Sequence, residues 1–429
     1  MRRTVTNVSS KPPFNLWLGA LAGACASLVG IGLARFAYTP LLPAIIDARW
    51  FPASTAAYLG AANLGGYLAG ALSGGWLARR ADSTPVLRAM MLVATVSFFA
   101  CSVPVSFLWF FAWRFVSGLS GGALMVLAAP AILSHVAPTR RGFVGGAIFS
   151  GIGLGIAASG TIVPVLLRES LTESWLGLGV CGLLLTAVAW NGWPRSRAGG
   201  KALTSSRHAS HAPHANTRGG PQARALAPGA VYALYAEYAL NAAGLVPHMI
   251  FLVDFVARGL GKGLDSGAQY WVLFGLGAIL GPLITGHIAD RVGFGPALRG
   301  VLVLQIVTVA LPALTSSPVA LIVSSVLVGA AVPGIVPLVL GRLHELLADK
   351  PAAQKQAWGT ATTCFATMQA AAAYGLSYLF AHDGGNCRLL FLIGTAALAM
   401  ALAIDLCALF LRADALERPK RNADIALPD

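Results

Sequence analysis

The sequence predicts an all-α membrane protein of twelve transmembrane helices arranged as two pseudo-symmetric six-helix bundles. Three observations carry that expectation. Of 429 residues, 56% are hydrophobic and only 11% charged, with a mean hydropathy of +0.71, whereas soluble domains carry about a quarter charged residues. Apolar stretches of about 20 residues, the length that crosses the hydrocarbon of a bilayer, recur twelve times. Finally, the basic residues alternate: given those spans, 23 of the 30 Lys and Arg fall on one side and five on the other, with Arg35 and Arg114 inside spans. The positive-inside rule then places both termini in the cytoplasm.

In chain order the expected spans are Leu16–Ile46, Ala56–Ala78, Val86–Phe107, Leu108–Val136, Phe143–Leu167 and Leu171–Trp193, then Gly229–Val256, Ala268–Ala289, Ala297–Leu314, Val319–Leu347, Ala357–Phe380 and Leu389–Leu411. The first is too long for a signal peptide and lacks a small-residue cleavage pattern, so it reads as a span. Between the sixth and seventh lies the one long polar segment, rich in Arg, Ser, Ala, Gly and His, whose composition cannot bury a core. The chain therefore divides into a first bundle at 1–194, a flexible cytoplasmic linker at 195–228, and a second bundle with a cytoplasmic tail at 229–429.

Several function classes are excluded by composition. The net charge of +14 follows membrane topology rather than forming a basic face, so no nucleic-acid partner is expected. The six cysteines are scattered singly, five in spans, and act as small buried hydrophobes. His208, His211 and His214 are spaced by three but lack a completing carboxylate or thiol, so no metal site is expected. No His-Glu-x-x-His, Gly-x-Ser-x-Gly or phosphate-binding Gly-x4-Gly-Lys-Ser/Thr motif occurs, which argues against an enzyme, direct ATP drive or a cofactor.

The halves repeat each other. Pro40 corresponds to Pro247 at an offset of 207, while Gly75 corresponds to Gly286 and Gly118 to Gly329 at 211. Gly146 and Gly160 are matched with Gly359 and Gly375. Such repeats build a central site between two rocking bundles in many secondary transporters.

Polar groups inside the spans point the same way. An arginine in hydrocarbon costs at least a few kcal/mol on insertion scales, so it persists only facing protein or water. Arg35 lies in Gly30-Ile-Gly-Leu-Ala-Arg35-Phe-Ala-Tyr38-Thr-Pro40-Leu-Leu-Pro43, and Arg114 in Arg114-Phe-Val-Ser-Gly118-Leu-Ser-Gly121-Gly122. Arg114 is read either as a coupling residue or as a structural arginine bonded to backbone carbonyls. In the seventh span Glu237, Asn241 and His248 share one helical face, which is expected to line the cavity. Glu237 is read either as a proton exchanger or as a fixed counter-charge for Arg35. Gln369, Asn63 and Tyr38 complete the expected polar lining, while Asp47, Asp254 and Asp405 near span ends are expected to be solvated.

Gly286-His-Ile-Ala-Asp290-Arg291-Val-Gly293, joining spans eight and nine, closely resembles the cytoplasmic loop motif of the major facilitator superfamily. That resemblance implies a latch that closes the inner side when a transporter opens outward. The first-half counterpart, Gly75-Trp-Leu-Ala-Arg79-Arg80-Ala-Asp82, departs from the pattern: Arg79 stands at the aspartate position and Asp82 at a second glycine. The Arg114 segment resembles the superfamily's fourth-helix motif, where the arginine is associated with proton coupling. The adjacent Gly-Pro of the antiporter motif is absent from span five, so no export direction follows. The Arg35 run, Val246-Pro-His248-Met-Ile-Phe-Leu-Val-Asp254 and Tyr270-Trp271-Val-Leu-Phe-Gly275-Leu-Gly277-Ala-Ile-Leu-Gly281-Pro282 together resemble the YbfB/YjiJ-type branch. The resemblance implies a secondary transporter working by alternating access. The expectation is a monomer in a bacterial inner membrane moving a small polar or anionic organic solute, with protons as the coupling ion. Proton-driven efflux of amphipathic compounds and a non-transporting sensor are the alternatives.

Overall fold

The computed structural model describes residues 15–80, 82–133, 135–136, 141–194, 229–347 and 351–425. The His208–His214 cluster and the segment 195–228 lie outside them. The described residues are helical throughout, with turns between helices and no strand. The first span comprises α1 (Leu16–Ser27), a π-helical segment (Leu28–Leu33), a turn, and α2 (Tyr38–Asp47). It is followed by α3 (Ala53–Arg80), α4 (Ser83–Ala100), α5 (Phe107–Leu133), α6 (Arg141–Leu167) and α7 (Leu171–Ala189). The second half holds α8 (Gly229–Asp254), α9 (Gly263–Val292), α10 (Phe294–Leu314), α11 (Pro318–Leu346), α12 (Pro351–His382) and α13 (Cys387–Ile425).

Local chemistry sets the boundaries. The Asn15 side chain accepts from the Trp17 and Leu18 amides and starts α1. Ser170 caps α7 by accepting from Glu173 N–H, in a Ser-x-x-Glu arrangement. Pro318 opens α11, where its missing N–H costs nothing. Gly293, at φ 86°, is the single residue between α9 and α10. The third span stops at Ala100, earlier than Phe107, because Pro104 disfavours helical backbone at the residue before it.

Among the described residues, ten helical segments are long and apolar enough to cross a membrane. The other two long helices, α3 and α12, are less apolar, and they pack against each other across the interface between the halves. Asn63 of α3 and Gln369 and Ser377 of α12 are buried, whereas Thr360, Thr363 and Thr367 of α12 are exposed.

The two halves share a tight crossing of glycine-bearing helices. A Cβ on Gly66 or Gly70 of α3 would strike the carbonyl of Phe115 or Leu119, and one on Gly118 of α5 that of Asn63. In the second half, Gly277 and Gly281 of α9 sit equally close to Val326 and Ala330, and Gly329 of α11 to Phe274. Each pair of equivalent positions is separated by 211 residues. The repeat read from Gly118 and Gly329 is thus a repeated helix crossing of the small-residue type. Gly146, Gly359 and Gly375 meet nothing within 4 Å, unlike Gly160, which abuts Val272; those two matches share no packing role.

The halves touch at the end of the bundle away from the termini, called here the far end. Asp47 pairs with Arg258, Thr39 Oγ1 donates to Met249 O, Ser377 Oγ to Ala57 O, and Trp271 Nε1 to Ser159 Oγ. These hydrogen bonds and this ion pair lie at mid-depth or nearer the far end.

Candidate substrate site and its polar surroundings

The break in the first span creates the site. The π segment brings Gly30 and Gly32 against Gly121 and Gly155, and the turn at Ala34–Ala37 then interrupts the helix at mid-depth. Carbonyls freed in such a break need donors. The Ala34 carbonyl receives two: Arg114 Nη1 at 2.8 Å and Asn63 Nδ2 at 3.2 Å. Arg114 Nε also donates to Leu59 O at 3.4 Å, and its guanidinium lies 4.5 Å from the Tyr38 ring centroid. Tyr38 O–H donates to Ala56 O, and Asn63 Nδ2 also reaches Arg114 O. Arg114, Asn63 and the Tyr38 hydroxyl thus brace the break within the first half.

Arg35, within the same turn, points the other way. It lines a small cavity between the halves with Tyr38, Thr39, Gly60, Leu64, Met249 and Ile250. Its guanidinium sits 5.1 and 5.2 Å from the Phe36 and Tyr67 ring centroids and touches Met249 Sδ at 3.8 Å. Gln369 of α12 reaches the same sulfur at 3.6 Å. Arg35 Nε and Gln369 Oε1 are buried without a partner, and no described carboxylate lies within ion-pair distance of Arg35. The Arg35–Glu237 lock is therefore not formed.

Glu237, Asn241 and His248 do share a face of α8, but that face looks into the second half, against α10, α11 and α13, and not onto the central cavity. Asn241 Nδ2 donates to Gln305 Oε1 at 2.6 Å, and His248 Nε2 lies 2.8 Å from Ser324 Oγ. Glu237 lines a second pocket, toward the termini, with Arg299, Arg342 and Asp405. The physical reason is pairing within the bundle: Asn241 and His248 find Gln305 and Ser324 on neighbouring helices, which leaves Met249 and Ile250 to the cavity.

The end-of-span aspartates are also more engaged than their positions imply. Asp254 is buried and accepts from Arg258 at 3.1 Å, and Asp405 is bonded to Arg299. Arg258, Arg299, Arg342, Gln305, Ser324 and Met249 are participants that sequence reasoning missed. The 211-residue repeat relates Arg299 to Arg88, whereas the positions matching Gln305, Ser324 and Arg342 hold Ala94, Trp113 and Ala131, so it gave no sign of those.

In the loop motif, Gly286 has open space around it, and Asp290 and Arg291 are exposed at the end of α9. Arg80 is exposed and stacks on Trp76, and Asp82 precedes α4. The side chains at Gly75 and Arg79 lie outside the described set.

The fold has clear relatives. The chain aligns with a variant of the nucleoside transporter NupG at 12% identity and a TM-score of 0.66, over 92% of this chain and 100% of that one. A D-xylose–proton symporter aligns at 13% and 0.67, over 92% and 97%. A bacterial homologue of the human lysosomal transporter Spinster, inward-facing and occupied, aligns at 13% and 0.67, over 93% and 97%. No curated protein matches in sequence. The family model described as an uncharacterised MFS-type transporter YbfB matches residues 27–406, and the chain therefore belongs to that family of multi-pass, non-enzymatic major facilitator transporters.

Proposed function

We propose that this protein carries a small organic anion across the bacterial inner membrane by alternating access, driven by protons, with both termini in the cytoplasm. The observation that carries the reading is Arg35: a guanidinium at the seam between the halves, at mid-depth, without a described carboxylate partner. Leaving such a charge uncompensated in a low-dielectric interior is costly, and a carboxylate or similar group on the substrate supplies the missing charge. Gln369 offers an unpaired carbonyl beside it, so the substrate carries a hydrogen-bond donor near its anionic group. The far-end contacts correspond to a conformation closed toward the outside, with the exposed Asp290 loop unlatched. Protons enter the cycle at Glu237, in a pocket away from the substrate.

A thermal-shift screen of metabolites at two pH values tests the substrate class, followed by counterflow in vesicles with any hit. Carboxylates are expected to raise the melting temperature of the parent but not of Arg35→Gln. Equal stabilisation of both by neutral or cationic compounds overturns the anion reading. Proton coupling fails if transport of a hit ignores a pH gradient and Glu237→Gln keeps full activity.

A further inference from the structure

Two strong donors, one from each half, meet on one weak acceptor. Arg35 Nη2, in the turn of the first span, and Gln369 Nε2, on α12, lie 3.8 and 3.6 Å from the same atom, Met249 Sδ. A thioether sulfur accepts hydrogen bonds poorly, so neither donor is well served. The other end of the Gln369 amide, Oε1, is buried without a partner, as is Arg35 Nε. Gln369 is 1% exposed and Met249 4%. Buried donors and acceptors left in this condition are out of the ordinary, because buried polar groups are nearly all hydrogen-bonded.

Met249 is placed to give way. Its carbonyl accepts from Thr39 Oγ1, which pins the backbone, while its unbranched side chain has three rotatable bonds and no strong partner to lose. A carboxylate in the sulfur's place takes a charged hydrogen bond from Arg35 and a second from the Gln369 amide. Oε1 then needs a donor immediately beside that carboxylate. A hydroxyl on the neighbouring carbon supplies it: the amide sets N–H and C=O side by side, and a 2-hydroxy acid sets an acceptor and an O–H side by side in return. An ammonium in the hydroxyl's position would stand beside the guanidinium with nothing to offset it, since the ion pairs of the described residues are those of Arg258, Arg299 and Arg342. One guanidinium balances one negative charge, and Leu64 and Ile250 make the cavity wall beyond it apolar.

We propose that the cargo is a 2-hydroxy monocarboxylate that displaces Met249 Sδ. Its carboxylate is shared by Arg35 of the first half and Gln369 of the second, and its hydroxyl donates to Gln369 Oε1. The proposal rests on the anion reading of Arg35 and names the class within it. Arg35 selects the charge, and Gln369 selects the hydroxyl.

The test compares acids that differ in one group, by thermal-shift titration of the purified full chain at neutral pH. One set is propionate, DL-lactate, L-alanine and tartronate; the larger set is 4-methylpentanoate, 2-hydroxy-4-methylpentanoate and L-leucine. In the parent, the 2-hydroxy acid of at least one set is expected to bind about tenfold more tightly than its unsubstituted counterpart, roughly the factor that one buried hydrogen bond is worth. The amino acids and the doubly charged tartronate are expected to bind more weakly than the 2-hydroxy acids. Gln369→Met is expected to bind hydroxy and unsubstituted acids equally, and Arg35→Gln to respond to neither. If Gln369→Met does not fold, Gln369→Leu serves instead. A parent that binds an unsubstituted acid as tightly as its 2-hydroxy counterpart in both sets, or an amino acid or tartronate more tightly, overturns the proposal and leaves the anion reading of Arg35 intact. So does a Gln369 variant that keeps the full preference. A parent that responds to no acid of either set overturns both.

Discussion

Arg258, in the π-helical turn Phe255–Gly259 that follows α8, lies 3.6 Å from Asp47 of α2, an ion pair that ties the two halves at the far end. The same guanidinium holds the buried Asp254 at 3.1 Å. Asp47 is largely exposed, so its share is that of a surface pair, about 0.2–1 kcal/mol. Asp47→Asn is therefore expected to speed labelling of a cavity thiol by a membrane-impermeant reagent from the far side by up to about fivefold. The thiol is placed by Gly60→Cys in a background lacking other cysteines. Arg258→Gln is expected to lower the melting temperature more than Asp47→Asn, because it leaves a buried carboxylate alone.

The two spanning arginines separate by their partners. Arg114 bonds the Ala34 and Leu59 carbonyls, and its replacement by Met is expected to cost about 3 kcal/mol or more, because both carbonyls lose a charged donor. Arg35→Gln is expected to melt within a few degrees of the parent and to lose carboxylate stabilisation. Fluorescence-detected melting of both variants, with and without ligand, checks the contrast.

The repeated crossings predict matched damage in the two halves. Gly118→Ala and Gly329→Ala each push a methyl into a neighbouring backbone carbonyl, and overpacking of this kind costs about 1–3 kcal/mol. Similar losses of melting temperature are expected. Gly375→Ala, which meets open space, is expected to be neutral or slightly stabilising.

Gly293 tests what the loop motif needs from its last glycine. Its backbone, at φ 86° and ψ 158°, is in a region almost restricted to glycine, so Gly293→Ala is expected to cost about 1–3 kcal/mol. A melting curve shows this without any transport assay.

The sequence displayed the span count and the Gly118/Gly329 repeat plainly, because lipid solvation and close backbone approach each demand particular residue types at regular spacing. It showed that Glu237, Asn241 and His248 share a face of α8, but not which way that face turns. Rotation of a helix that is apolar nearly all round is decided by partners such as Gln305 and Ser324, which sit on other helices. Arg35 and Arg114 looked alike for a related reason. Their difference lies in which of them reaches the Ala34 carbonyl, and that depends on a π segment with no strong local signal in Leu28–Leu33.

The interrupted first span also bears on motion. Below the turn, α1 is packed on α5, α6 and α7 of its own half; above it, α2 leans chiefly on α8 of the other. Any rocking of one bundle over the other must flex this elbow at Ala34–Ala37. Arg35 stands on the elbow itself, so under the anion-carrier proposal cargo bound there acts as a torque between the bundles.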